Sequence, residues 1–261
     1  VPFTISDIST GRNILPPRIV LPGREKIGKS TFAAGAPNPI FIPVKGETGL
    51  DFIDAPKFPP VQAFENAMEA LTALDSDHEY KTVVLDSLST FEPMICDYAC
   101  REEKCASVAK LGGGYGHQEA VLIKHARTFL DWLDYLRDAR GMGCILIAHI
   151  KTQPKTFNDP LADPYDTYRV ECRESIFDAI KRWADAILFA TTKIYTSKVG
   201  ETGMGDGKKK INHATGAGER VIYTEARPAF PAGCRFPLPF ELPLSYAAFD
   251  AEYQKAVNSA G

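Results

Sequence analysis

The chain alternates short unbroken apolar runs with longer stretches in which apolar residues recur every three or four positions. Arg18-Ile19-Val20-Leu21, Ile40-Phe41-Ile42-Pro43-Val44, Lys81-Thr82-Val83-Val84-Leu85-Asp86, Gly143-Cys144-Ile145-Leu146-Ile147-Ala148-His149 and Asp185-Ala186-Ile187-Leu188-Phe189-Ala190 have the form of buried strands. Between them, Phe64, Met68, Leu71 and Leu74 predict an amphipathic helix over 61–74. Leu122, Ala126, Phe129, Leu133 and Leu136 predict the longest helix, stopped by Gly141, and Ile176, Ile180 and Trp183 predict another. A short helix starting at Ser30 closes at Gly35-Ala36-Pro37-Asn38-Pro39. Strands alternating with helices predict an α/β fold.

Three stretches break this rhythm. Lys110 to His117 is too rich in glycine for a helix and is expected to be a mobile loop. Lys151 to Asp166, interrupted by Pro154, Pro160 and Pro164, is expected to be a polar loop that orders when a partner arrives. From residue 193 onward a hairpin with a tip at Gly203 to Lys210 is expected. No internal repeat or linker is visible. The pattern therefore gives one domain, with a core over 1–192 and a C-terminal hairpin and tail over 193–261 packed on it.

Composition narrows the class. The 261 residues are 44% hydrophobic and 24% charged, with a net charge of −3, as in an ordinary globular protein. There is no overall basic excess, so a nucleic-acid surface must be local. A candidate is residues 193–235, where eight cations against four carboxylates leave a local +4, interleaved with Tyr195, Tyr223, Phe230 and Phe236. Such a stretch reads either as a solvated hairpin or as a surface that tracks phosphates and stacks bases. The N-terminal residues lack the layout of a signal peptide and no run has the length of a membrane span, so a cytoplasmic protein is expected. Cys96, Cys100 and Cys105 lack a CxxC pair; the six cysteines are expected to be reduced thiols.

The chemistry centres on Gly23-Arg24-Glu25-Lys26-Ile27-Gly28-Lys29-Ser30, which satisfies G-x-x-x-x-G-K-[ST] between a predicted strand and a predicted helix. Such a loop turns successive backbone N–H groups inward to cradle a polyphosphate. In this arrangement Lys29 reaches the β/γ-phosphates, the Ser30 hydroxyl takes a place on Mg²⁺, and Thr31 adds a phosphate contact. Asp86, at the end of an apolar strand about sixty residues later, is the expected second Mg²⁺ partner, with Ser87 and Ser89 supplying hydroxyls. Glu47 lies in a loop just past a strand end, where open α/β sheets place ligands. His149 ends a strand in the same way, and is either a nucleotide-sensing residue or a satisfied structural histidine.

Several segments together resemble RecA-like P-loop ATPases encoded by bacteriophages, some of which are single-strand annealing recombinases. The resemblance rests on Pro16 to Leu21, the phosphate loop through Ala34, Pro37 to Pro43, Lys81 to Ser87, Gly114-Tyr115-Gly116, and Gly141-Met142 into Ile147-Ala148-His149. It continues through Asp163 to Tyr168, Trp183 to Phe189 and Arg220 to Pro228. It implies a RecA-like core, a mostly parallel sheet between helices, with nucleotide at the strand ends and often at a subunit boundary. It also implies Glu47 as the residue that polarises the attacking water and His149 as the γ-phosphate reporter to a DNA-binding loop beginning at Lys151. Arg227 and Arg235 match cationic positions that reach a neighbour's phosphate. Lys26 stands where the group usually has Gly, Lys45-Gly46 are extra, and Gly233 and Cys234 replace Lys and Asn.

Taken together these features predict a DNA-stimulated, Mg²⁺- and ATP-dependent hydrolase that binds single-stranded DNA through Lys151, Lys155, Lys208, Lys209 and Lys210. It would work as a homo-oligomer in phage recombination, in the bacterial host cytoplasm. The alternatives are a ring-forming translocase or helicase, and a weakly hydrolysing nucleotide-gated module that recruits a single-strand-binding protein.

Overall fold

The computed structural model describes residues 4, 5, 8, 10–156, 165–202, 209–216 and 218–259. Its centre is a sheet whose parallel strands are β1 (Arg18–Gly23), β2 (Pro39–Pro43), β3 (Thr82–Asp86), β4 (Gly143–Thr156), β6 (Ala186–Ile187) and β7 (Phe189–Thr192). Strands β1, β2 and β3 are mostly apolar and buried on both faces, as a helix-covered parallel sheet requires. The order across the sheet places β4 between β1 and β3, with β2 beyond β3 and β7 on the other side of β1.

Helices cover both faces. Against one lie α2 (Phe64–Ala73), α3 (Leu88–Glu102), α4 (Gln118–Arg140) and α5 (Glu174–Trp183), whose apolar sides meet the sheet in one core that includes Phe64, Phe91, Phe129 and Leu133. The other face holds α1 (Lys29–Ala34) and the C-terminal α6 (Tyr246–Asn258), where Phe32 meets Tyr246 and Phe249 edge-on or tilted. Helix α6 was not anticipated, although Tyr246, Phe249, Tyr253 and Ala256 recur at helical spacing and are all buried.

Two stretches expected as loops carry regular structure over part of their length. Between Lys110 and His117 the chain makes 3₁₀ turns over Val108–Gly113, because Leu111 is fully buried and anchors the glycines around it. In the Lys151-to-Asp166 segment, residues 151–156 and 165–166 are strand rather than polar loop. Strand β4 runs on past His149 to Thr156 and pairs antiparallel with β5 (Tyr165–Val170), Lys151 opposite Arg169 and Thr152 opposite Tyr168. Pro154 cannot donate to this ladder, and the register shifts between Gln153 and Thr156 where it sits. Residues 157–164, with Pro160 and Pro164, lie outside the described residues.

Beyond residue 192, β8 (Tyr195–Thr202) and β9 (Lys209–Thr215) form a separate two-stranded ribbon. Strands β10 (Arg220–Tyr223) and β12 (Glu241–Pro243) rejoin the main sheet beside β7, and β11 (Gly233–Cys234) pairs with β6. Tyr223, Phe230 and Phe240 form a stacked series on Phe189, and Phe236 packs on Tyr253. Tyr223, Phe230 and Phe236 are therefore half-buried among other rings, while Tyr195 is exposed. Among the described residues no helix is long and apolar enough to cross a membrane.

At the N-terminal end of the strands a charge cluster ties the chain ends together. Asp185 accepts from Arg18 Nη2 at 2.8 Å, Arg235 Nη1 at 3.1 Å and Arg137 Nη2 at 3.4 Å, while Arg18 also reaches Asp134 at 3.0 Å. Removing one member of so enclosed a set leaves its partners charged and poorly hydrated. Asp185→Ala is expected to lower unfolding stability in urea by about 3 kcal/mol; a change under about 0.5 kcal/mol would show the cluster to be incidental.

Candidate nucleotide site

Gly23 ends β1 level with His149 on one neighbour and Ala190 on the other. A β-carbon at Gly23 would lie 2.7 Å from the Ala190 carbonyl oxygen, so only glycine passes here. The loop then rises with Arg24, Glu25 and Lys26 exposed, Ile27 buried as its apolar anchor, and Gly28 at φ 109° before α1 begins. Lys26 has φ 58°, a left-handed conformation that favours glycine, which accounts physically for the glycine the resembling group carries at this place. Thr31 is exposed on the first turn of α1.

Lys29 is buried under the loop, its Nζ donating to the carbonyls of Gly23 and Arg24 at 2.8 Å each. Burial lowers its pKa to about 8, against the opposing pull of Asp86, Glu47 and Glu25. Ser30 Oγ donates to Asp86 Oδ2 at 2.7 Å, joining loop and β3 where the sequence placed the two Mg²⁺ partners. Burial pushes the Asp86 carboxyl upward, with the Ser30 bond opposing it and the nearby Glu47 adding to it. A buried carboxylate and a hydroxyl side by side, disfavoured as an anion without a cation nearby, form a donor set that suits Mg²⁺. Gly49 closes over this pair: a β-carbon there would stand 2.8 Å from Ser30 Oγ and 3.5 Å from Asp86 Oδ2.

Glu47 reaches the same place from β2. The extra Lys45-Gly46 make a turn, with Gly46 at φ 102° and the Glu47 N–H bonded to the Val44 carbonyl at 3.0 Å, so the chain folds back over β3. Glu47 Oε1 accepts from His149 Nε2 at 3.2 Å, from Ser87 Oγ at 2.7 Å and from the Thr90 hydroxyl. The His149 bond, followed by those from Thr90 and Ser87, outweighs burial and holds the carboxyl at about 2. His149 Nδ1 lies 3.5 Å from Lys29 Nζ. A tautomer with the proton on Nε2 donates to Glu47 and leaves Nδ1 facing the Lys29 ammonium. The His149 N–H donates to Ser89 Oγ at 2.9 Å. Thr90 and Gly49 were not singled out from sequence; a Ser-x-x-Thr at the start of a helix, with Ser87 as its N-cap, was the available signal for Thr90.

The other expected residues lie apart. Arg227 stacks over Phe240 at 4.1 Å and is 3.6 Å from Glu225. Arg235, in the Asp185 cluster, sits at the far end of the strands from the phosphate loop of its own chain. Lys151 and Arg227 line one groove of about 590 Å³ between the β4–β5 hairpin, α5 and residues 227–231. Tyr168 in this groove accepts from Arg24 Nη2 at 2.5 Å, linking it to the phosphate loop. Lys155, Lys209 and Lys210 lie on strands β4 and β9, and Lys208 lies outside the described residues.

A mostly parallel sheet flanked by helices, with a phosphate loop between β1 and α1 and an acidic residue ending β3, defines a P-loop nucleotide-binding protein of the ATPase type. The chain belongs to the AAA domain family, whose pattern matches residues 15–236. No curated protein matches it. The family's activity is nucleotide-dependent ATP hydrolysis, typically with Mg²⁺.

Two outcomes follow from this geometry. Lys26→Gly relieves the left-handed strain and is expected to raise stability by about 1 kcal/mol, read from urea unfolding; a loss would mean that the lysine makes a compensating contact. Glu47 is depressed from 4.5, so its stabilisation is present above that pH and lost as pH falls towards about 2. His149→Ala should raise the Glu47 pKa and move the acid-unfolding midpoint to higher pH. An unmoved carboxyl signal in an NMR titration would remove His149 from that role.

Proposed function

We propose that this chain is a Mg²⁺- and ATP-dependent hydrolase whose turnover is coupled to single-stranded DNA. The setting that the sequence resemblance suggests is phage recombination or annealing by an oligomer. The observation that carries the proposal is the convergence of Lys29, Ser30, Glu47, Asp86 and His149 at one level of the sheet, with β4 running without a break from His149 into Lys151 and the hairpin.

In this reading Ser30 and Asp86 hold Mg²⁺, which supplies charge neutralisation for phosphoryl transfer. Lys29 exchanges its two loop carbonyls for phosphate oxygens. Glu47, kept ionised by three donors, orients a water through its remaining acceptor capacity. His149 touches both Lys29 and Glu47, so a change at the phosphates alters its bonds. Its strand transmits that change to Lys151, and Arg24 offers a second link through Tyr168. The low Glu47 pKa makes it a weak base, and this favours slow hydrolysis and a second reading: a nucleotide-gated module that turns over little and recruits a single-strand-binding protein.

Steady-state ATP hydrolysis with and without single-stranded DNA tests the proposal, with Lys29→Ala as the control for contaminating ATPases. DNA stimulation that disappears in the control is expected. Glu47→Gln should cut turnover by roughly 100-fold or more while ATP still binds. Retained turnover would exclude Glu47, and a DNA-independent rate would exclude the coupling. Bound ATP with negligible turnover in either condition would select the gated module.

A further inference from the structure

In the sequence Arg220 is one cation of the basic stretch and the first residue of the Arg220-to-Pro228 segment of the resemblance, with no role of its own. It opens β10, which runs antiparallel to β7 with Ile222 opposite Ala190 and Arg220 opposite Thr192. Ala190 is level with Gly23, so Arg220 stands two residues beyond the end of β1, at the height of the phosphate loop. Its exposed guanidinium leans on Gly28: a β-carbon at Gly28 would lie 3.2 Å from Arg220 Nη1 and 3.6 Å from Leu244 Cδ2. Leu244 is fixed there by a bond from its N–H to the Arg220 carbonyl at 3.0 Å.

The two flanks of the loop are chemically different. Glu47, Asp86 and His149 approach from the β2, β3 and β4 side of β1, whereas Arg220 and Leu244 approach from the β7, β10 and β12 side. The terminal phosphate belongs beside the carboxylates, the metal pair and the histidine. A nucleotide laid along the loop therefore turns its α-phosphate and nucleoside towards β10. We propose that Arg220 binds the α-phosphate in the same chain and that Leu244 forms an apolar wall for the nucleoside. This rests on the reading that the loop holds a nucleotide.

The test is competition of ATP, ADP and AMP against a fluorescent ATP analogue on the wild type, Arg220→Ala and Arg220→Lys, with thermal unfolding to confirm folding. Loss of a charged hydrogen bond should weaken all three nucleotides in Arg220→Ala by a similar factor, about tenfold or more, and Arg220→Lys should recover part of it. Weakening confined to ATP would place Arg220 at the terminal phosphate, and unchanged binding would remove it from the site; either overturns the proposal. A wild type that binds none of the three would overturn the nucleotide reading itself, an outcome distinct from an inert Arg220→Ala.

Discussion

The candidate site depends on the parallel register of β1, β4, β3 and β2. Because β4 is inserted between β1 and β3, Gly23 pairs with His149, Asp86 with Ile147, and Pro43 with Asp86. The strands thus end within a residue or two of one another, and the loops that leave them open onto one edge. A parallel sheet can hold this register only if both faces are covered. The two hydrophobic cores do so, one under α2 to α5 and the other under α1 and α6.

At that edge burial and the neighbouring charges and donors pull each group's charge in opposite directions. Burial works against the charge on both Lys29 and Asp86, and each lends the other partial support. Glu47 is different: its hydrogen bonds exceed its burial cost, so it remains an anion. A lysine resting on carbonyl oxygens is ready to exchange them for stronger acceptors. The cluster therefore has excess donor capacity towards the loop and excess negative charge towards β3, as a polyphosphate with a divalent cation requires. At the opposite end of the strands Asp185 gathers Arg18, Arg137 and Arg235, tying β1, α4 and the C-terminal segment into one frame.

The β4–β5 hairpin connects the site to a larger surface. It leaves the sheet directly after His149, and its second strand returns Tyr168 to Arg24 of the phosphate loop. Its ladder pairs Lys151 with Arg169 and Thr152 with Tyr168, backbone groups that a proline-broken loop would leave unpaired.

The sequence by itself determined the local elements and the motif residues. Unbroken apolar runs gave β1 to β4 and, as a single run, β6 and β7; helical spacing gave α2, α4 and α5, and the fixed positions of the phosphate loop named Gly23, Gly28, Lys29 and Ser30, with Asp86 following from a strand that ends on a carboxylate. These are short-range signals, set by side-chain periodicity and backbone preference within a few residues. Only the tertiary structure decided that Lys45-Gly46 turn Glu47 back onto Ser87, Thr90 and His149, that Pro154 sits within a strand, and that Tyr223, Phe230 and Phe236 pack half-buried on other aromatic rings. It also decided that Arg235 points away from the phosphate loop while Arg220 leans against it. Each of these depends on which strands lie side by side and in what direction, and pairing between residues far apart in the chain leaves no periodicity to read.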